Sequence, residues 1–195
     1  MHIRPPRKAS DWDQLFSLYE NAFSPEEREP TPDLRDLYKA GSRQIDLLMS
    51  ADKLIGFSVV DHYPDQEYSL LSYVALSPEF RNQGLGSILC LDVIYNFQLL
   101  SDPIAMFVEA KDRPAKLYAS LGFHYANVPY GAPEYGGDGT VKMNLMFLPH
   151  EKNKARLTEA FFTRCVKSIL KDGYGLSETD PRLISQIQVT KAFRY

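Results

Sequence analysis

Cysteine is scarce in this chain: Cys90 and Cys165 are the only two, far apart, in 195 residues. A disulfide framework or a zinc site needs more ligands at closer spacing. Both are therefore expected to be reduced, partly buried thiols of a cytoplasmic protein. Positive charge is not in excess either. Lys and Arg number 22 against 25 Asp and Glu, a formal net charge of −3, which argues against a broad basic surface for nucleic acid. No apolar run approaches the roughly 18 residues that span a bilayer. Met1 to Ser10 is polar and carries prolines, so it is not expected to serve as a secretory signal. His62, His124 and His150 lack metal-ligand spacing, so no metal is expected. Internal repeats and low-complexity segments are absent. What remains is a chain with 44% hydrophobic and 24% charged residues, enough apolar mass for the core of one domain with an extension.

The hydrophobic periods outline that domain. Ile3 to Arg7 reads as a short strand. Ser10 reads as an N-cap, with Asp13 completing a near capping box. Trp12, Leu15, Phe16, Tyr19 and Phe23 then follow at helical spacing. A charged loop from Ser24 to Pro30 precedes a short helix, Asp33 to Ala40. Gln44 to Ser50 and Leu54 to Val60 flank the turn Ala51-Asp52-Lys53 as a hairpin. Ser69 to Leu76 is apolar on both faces, as a central strand is. Gly84 to Leu100 reads as a helix with Leu85, Leu89, Val93, Phe97 and Leu100 on one side. Ile104 to Ala110 returns as a strand, and Pro114 to Leu121 is a helix stopped by Gly122. Phe123 to Ala126 and Val141 to Leu148 are strands around a loop rich in Gly, Pro and Tyr. Strand, helix, strand over 69 to 110 suggests parallel neighbours, so the fold class is α/β with a mixed sheet. Glu151 to Leu170 is expected as a long helix, followed by a tail. The expected organisation is a domain over 1–150 and a helical extension over 151–195.

The most informative segment runs Leu76-Ser77-Pro78-Glu79-Phe80-Arg81-Asn82-Gln83-Gly84-Leu85-Gly86-Ser87. A strand feeds a tight loop that opens directly into a helix. Two glycines let a ligand approach the backbone. The unpaired N–H groups of the first helical turn then face an anion, with Arg81 beside them. That pattern is a pyrophosphate cradle made from main-chain donors. A P-loop would need Gly-Lys-Ser/Thr, which is missing, and a dinucleotide fingerprint would need glycine where Leu89 stands.

The run Val74 to Ser87 resembles motif A of the GNAT superfamily, Arg/Gln-x-x-Gly-x-Gly/Ala after the fourth strand. Downstream, Leu117-Tyr118-Ala119-Ser120-Leu121-Gly122-Phe123 resembles its motif B, Tyr-x-x-x-Gly-Phe. The opening Ile3-Arg4-Pro5 and Ala22-Phe23 before Pro25-Glu26-Glu27-Arg28 is similar to that of many bacterial members. The resemblance covers about residues 1–150. It implies the GNAT acyl-CoA N-acyltransferase fold, in which the central strands splay open around acetyl-CoA. The pyrophosphate would lie on the amides of Gln83, Gly84, Leu85, Gly86 and Ser87, beside Arg81 and Asn82. The pantetheine arm would pair with Val74, Ala75 and Leu76, where a backbone amide polarises the thioester carbonyl. The chain departs from the family where an asparagine and an alanine are common before the tyrosine: Lys111 and Pro114 stand there.

The resemblance also implies an enzyme, an N-acetyltransferase acting on a primary amine of a small molecule or peptide. Tyr118 sits where relatives carry a general acid, and a phenol with a pKa near 10 suits a thiolate leaving group. A carboxylate near the start of the fourth strand would take the amine's proton: Glu67 first, with Asp61 and Glu27 behind it. No Ser-His-Asp or Cys-His arrangement is legible and Cys90 reads as a core residue, so direct transfer in a ternary complex is expected. Tyr125, Tyr130 and Tyr135 border a loop that could line the acceptor pocket. The competing reading is a non-catalytic acyl-CoA-binding sensor or regulator; a nucleotide-binding protein of another fold comes third. The apolar helix after 150 is expected to bury itself on the core, with contact to a second copy of the chain as the lesser alternative.

Overall fold

Short apolar runs of period two pair edge to edge at the start of the chain. The computed structural model describes residues 1–194 and divides into two units. The first comprises Met1–His62 and Leu70–Leu99. In it β1 (His2–Arg4) pairs antiparallel with β2 (Arg43–Ser50), and β2 with β3 (Lys53–Tyr63). Ala51 makes the hairpin turn at a φ of 50°. Next to β3 lies β4 (Tyr68–Leu76), whose residues from Leu70 onward belong to this unit. The sheet carries α1 (Ala9–Ala22) and α2 (Thr31–Lys39), with Trp12, Leu15, Tyr19 and Leu34 buried against Ile45, Leu47, Phe57 and Tyr73.

The start of α1 corrects the expected cap. The helix begins after Lys8, not Ser10, and the capping carboxylate is Asp11, not Asp13. Asp11 Oδ2 accepts from the amides of Arg7 (2.8 Å) and Lys8 (3.2 Å) and from Arg4 Nη1 (2.7 Å). Its second oxygen takes Arg4 Nη2 at 2.9 Å. The guanidinium pulls the one carboxylate that can reach both it and the free helix amides, and holds it far below the usual carboxylate range.

At Gly56 the backbones of β3 and β4 approach closely. A Cβ there would stand 2.5 Å from Leu76 Cδ2 and 2.7 Å from the Ala75 carbonyl, so only glycine fits. From the end of β4, a loop leads into α3 (Leu85–Leu99), which buries Leu85, Leu89, Val93 and Phe97. Leu100, expected on that stripe, lies beyond the helix and is partly exposed.

The second unit comprises Tyr63–Ser69 and the chain from Leu100 onward. Here β5 (Ala105–Ala110) is followed by α4 (Asp112–Ser120) and β6 (His124–Tyr125). The Gly/Pro/Tyr loop is not structureless: β7 (Gly131–Pro133) and β8 (Thr140–Lys142) form a small hairpin inside it. The single strand expected over 141–148 is accordingly split, and β9 (Asn144–Pro149) pairs antiparallel with both β5 and β6.

The expected helix over 151–170 is shorter. Residues 151–158 form a turn and a short 3-10 helix (Lys154–Arg156) instead, with Asn153 tied through its side-chain amide to the carbonyls of Ser101 (3.0 Å) and Pro103 (2.9 Å). Thr158 then caps α5 (Glu159–Ser168), accepting from the Phe161 amide at 3.2 Å. A π-helical turn, Ile169–Gly173, follows, and the expected tail contains α6 (Pro181–Thr190). Phe161 and Phe162 cover Phe107 of β5, and Phe162 stacks on Phe193 at 3.9 Å. Cys90 and Cys165 are both buried and free, and burial pushes the Cys90 thiol up to about 12. Among the described residues, no helix is long and apolar enough to cross a membrane.

Candidate active site

The glycine loop belongs to the first unit. Its strand side is held by the Ser77 amide, which donates to the Ile55 carbonyl at 2.8 Å, and by the Arg81 Nε, which donates to the Leu76 carbonyl at 3.1 Å. Gln83 Nε2 closes the loop on the Glu79 carbonyl at 2.9 Å. Asn82 and Gly84 take left-handed φ values of 60° and 78°. The second is the one only glycine adopts without strain, and a Cβ placed there would meet nothing within 4 Å. Open space beside a left-handed glycine leaves room for a ligand to reach the backbone. The Ile88 amide donates to the Gly84 carbonyl at 3.3 Å. The amides of Leu85, Gly86 and Ser87, at the first turn of α3, come too early for the helix to offer them a carbonyl. Together with the dipole of this four-turn helix they form a main-chain anion cradle. Arg81, Asn82, Gln83 and Gly84 are exposed beside it, while Val74, Ala75 and Leu76 close β4.

Tyr118 and Glu67 belong to the second unit. Tyr118 lies in α4, 6% exposed, with its ring 5.5 Å from that of Phe123. Its carbonyl takes the amides of Leu121 and Phe123, both at 3.0 Å, which is how the turn at Gly122 is fixed. Asn144 braces the start of α4 by donating to Asp112 Oδ1 at 3.0 Å and to the Ala110 carbonyl at 3.2 Å.

Glu67 does not stand free as a proton acceptor. Left-handed at φ 61°, it directs Oε1 to Arg156 and Oε2 to Arg164 at 3.3 Å. Both oxygens are thus committed to arginines from the C-terminal segment, an arrangement that argues for a tie rather than a base. The reserve candidates are engaged as well. Asp61 takes Arg43 through two hydrogen bonds, at 2.6 and 2.9 Å, and Ser72 at 2.5 Å; Glu27 accepts from Ser24 at 2.9 Å. Among the described residues no group of three His, Cys, Asp or Glu side chains converges on a metal position.

One carboxylate was not singled out by the sequence reading. Glu109 of β5 accepts from Tyr130 at 2.6 Å and from Tyr174 at 2.9 Å, and burial raises its pKa. A charged residue in the otherwise apolar run Ala105-Met106-Phe107-Val108-Glu109-Ala110 was the available signal, since an unpaired carboxylate is rarely placed in a core strand. Of the three loop tyrosines, Tyr130 and Tyr135 gather here, while Tyr125 pairs in β6 and is partly exposed.

A family model described as the acetyltransferase (GNAT) domain matches residues 44–125. That span takes in β4, the glycine loop, α3 and all of motif B. Over less than half of the chain, then, the sequence is similar to a GNAT domain. Solved structures agree on the fold. A GNAT-family protein from Bacteroides thetaiotaomicron is 21% identical, with a TM-score of 0.69 over 91% of this chain and 100% of that one. That match leaves too few residues over for the whole stretch after 150 to lie outside it. The ribosomal-protein-S18-alanine N-acetyltransferase from Escherichia coli is 20% identical, with a TM-score of 0.62 over 80% of this chain and 98% of that one. A phosphinothricin acetyltransferase from Sinorhizobium meliloti, solved with acetyl-CoA, is 17% identical with a TM-score of 0.63, covering 79% and 90% of the two chains. Among curated proteins no sequence match was found. The chemistry that goes with a GNAT domain is acyl transfer from an acyl-coenzyme A, and the match over residues 44–125 supports that chemistry in general for this chain.

Proposed function

We propose that the chain moves the acetyl group of acetyl-CoA onto a primary amine of a small molecule or peptide, by direct attack in a ternary complex. The observation that carries this reading is the cradle: three early helix amides after a left-handed glycine with open space beside it, next to Arg81. Those features fit a pyrophosphate, which needs many donors and close backbone approach. Gln83 to Ser87 would hold it, with Arg81 and Asn82 flanking, and Val74 to Leu76 would pair with the pantetheine arm. When bound, acetyl-CoA supplies an activated acetyl thioester.

The residues' work is then positioning and proton handling. A β4 amide stabilises the developing oxyanion, a fixed dipole that needs no reorganisation. The amine nitrogen forms its bond to the acetyl carbon as the carbon–sulfur bond breaks, and Tyr118 gives its phenolic proton to the departing sulfur. The nitrogen's proton goes to a carboxylate or to water. Glu67 would serve only by leaving Arg156 and Arg164.

The test is thiol release from acetyl-CoA across a panel of primary amines, wild type beside Tyr118→Phe. Acetyl-dependent turnover is expected with at least one amine. General acid catalysis contributes about 10²- to 10⁴-fold, so the Phe variant should lose that much in single-turnover rate while binding acetyl-CoA normally. A Phe variant with full rate at every pH would return Tyr118 to packing. Cofactor binding without thiol release from any amine would favour the sensor reading.

A further inference from the structure

Glu109 is the carboxylate that the proposed chemistry leaves unused, and its surroundings are unusual for a structural one. It sits on β5 two residues after Phe107, on the face that α5 covers. Its partners are two phenols: Tyr130 donates to Oε1 at 2.6 Å and Tyr174 to Oε2 at 2.9 Å. Among the described residues, no lysine, arginine or histidine forms an ion pair with it. An ionised carboxylate offers about four lone-pair sites. Two are filled here, so two remain for a further donor. A buried carboxylate is costly unless a cation pairs with it. Yet the residue is not sealed off: Glu109, Tyr135 and Tyr174 all keep partial solvent exposure.

The phenols themselves are carefully placed. Tyr174 directly follows the π-helical turn Ile169–Gly173, a geometry that recurs at functional sites and here turns the chain so that its hydroxyl meets β5. Gly175, at φ 69°, then carries the chain away. Tyr135 lies against Tyr174 with ring centroids 4.9 Å apart. The loop bearing Tyr130 is gripped from α6: Gln186 donates to the Pro129 carbonyl at 2.7 Å and accepts from the Gly131 amide at 3.2 Å. Arg182 of the same helix donates to the carbonyls of Gly137 (3.0 Å) and Gly139 (3.3 Å) in the neighbouring hairpin loop. The segment after residue 150 thus supplies one phenol and fixes the other.

We infer that Glu109, walled by Tyr130, Tyr135 and Tyr174, is a seat for an alkylammonium group of the acceptor. The carboxylate provides the counter-charge and two free lone pairs, and the tyrosine rings provide the aromatic faces that favour a cation. The substrate class is then a protonated primary amine, selected by the C-terminal segment. This inference rests on the acyl-transfer reading for its purpose, but not for its physics.

The experiment is calorimetry on the full chain with benzylammonium and its neutral counterpart benzyl alcohol, and separately with acetyl-CoA. Wild type is expected to bind benzylammonium at least tenfold more tightly than benzyl alcohol. Glu109→Gln keeps the shape and removes the charge; it should lose at least tenfold on benzylammonium while acetyl-CoA affinity stays unchanged. Tyr174→Phe, which removes one phenolic hydroxyl from a partly exposed ring, should lose several-fold on benzylammonium alone. With a turned-over amine, the Gln change should fall on KM more than on kcat. Equal binding of cation and alcohol by wild type, or an unmoved benzylammonium affinity in a folded Glu109→Gln, overturns the seat. If acetyl-CoA fails to bind while benzylammonium behaves as stated, the seat stands and the acyl-transfer reading falls.

Discussion

Both units of the molecule withdraw carboxylates from solvent, the first almost wholly and the second in part, and they satisfy them differently. In the first, Glu29 and Asp61 share one guanidinium, Arg43, with all three residues 6–8% exposed. Ser72 adds a hydrogen bond to Asp61, while the Glu29 backbone amide donates to the Tyr73 hydroxyl and its carbonyl accepts from Tyr19. In the second, the partners of Glu109 among the described residues are phenols. The first arrangement is closed in that both carboxylates reach a cation of the same unit, one positive charge shared between two acids. The second is open, because phenols bind an anion without cancelling it. A closed network holds a fold together; an open one is poised to receive a cation.

The largest expected effect comes from opening the closed network. Arg43→Met leaves Glu29 and Asp61 facing each other's surroundings without a counter-charge, and breaking a buried pair in this way costs about 3–5 kcal/mol. Urea denaturation of the variant should show that loss, and a change below about 1 kcal/mol would erase the contrast between the units. The smaller effect, of opposite sense, belongs to Glu109→Gln. Burial raises the folded pKa of Glu109, so its protonated form is the one the fold favours. The stability it contributes is full below the unfolded glutamate value of about 4.3 and is lost as pH rises toward the raised folded value. Removing the charge should therefore flatten the decline in wild-type stability above about pH 4.3 and leave the variant at least as stable at neutral pH. A Gln variant clearly less stable than wild type at pH 7 would make Glu109 a structural hub like Arg43.

The sequence reveals the two regions unequally. Strand, loop and helix from 69 to 99 were legible because a period-two run, a paired glycine and an i, i+4 apolar stripe are local signals. The expected cradle rests on the same residues, Gly84 and Gly86 above all, and the left-handed φ of Gly84 is what the structure adds. The second unit gave less. β7 and β8 have three residues each, too short to show a period, and the register between them exists only once the loop folds back. The start of α5 was misplaced by eight residues because apolar spacing continued through Leu157, while the deciding features were Asn153's ties to Ser101 and Pro103 and the cap at Thr158. Glu67 was chosen by its position before the fourth strand, but Arg156 and Arg164, about ninety residues away in sequence, claim it. The Glu109 cluster joins residues from β5, a loop and the chain after α5, so no window of the sequence contains it.

The acyl-transfer reading turns on whether the loop before α3 holds a pyrophosphate. The direct measurement is isothermal calorimetry of acetyl-CoA with wild type and with Gly86→Asp, each checked for a cooperative melt. The wild type is predicted to bind. The Asp variant adds a like charge beside a phosphate, a clash of several kcal/mol, so its affinity should fall by a hundredfold or more. A folded Gly86→Asp protein that binds acetyl-CoA as tightly as wild type would contradict the account.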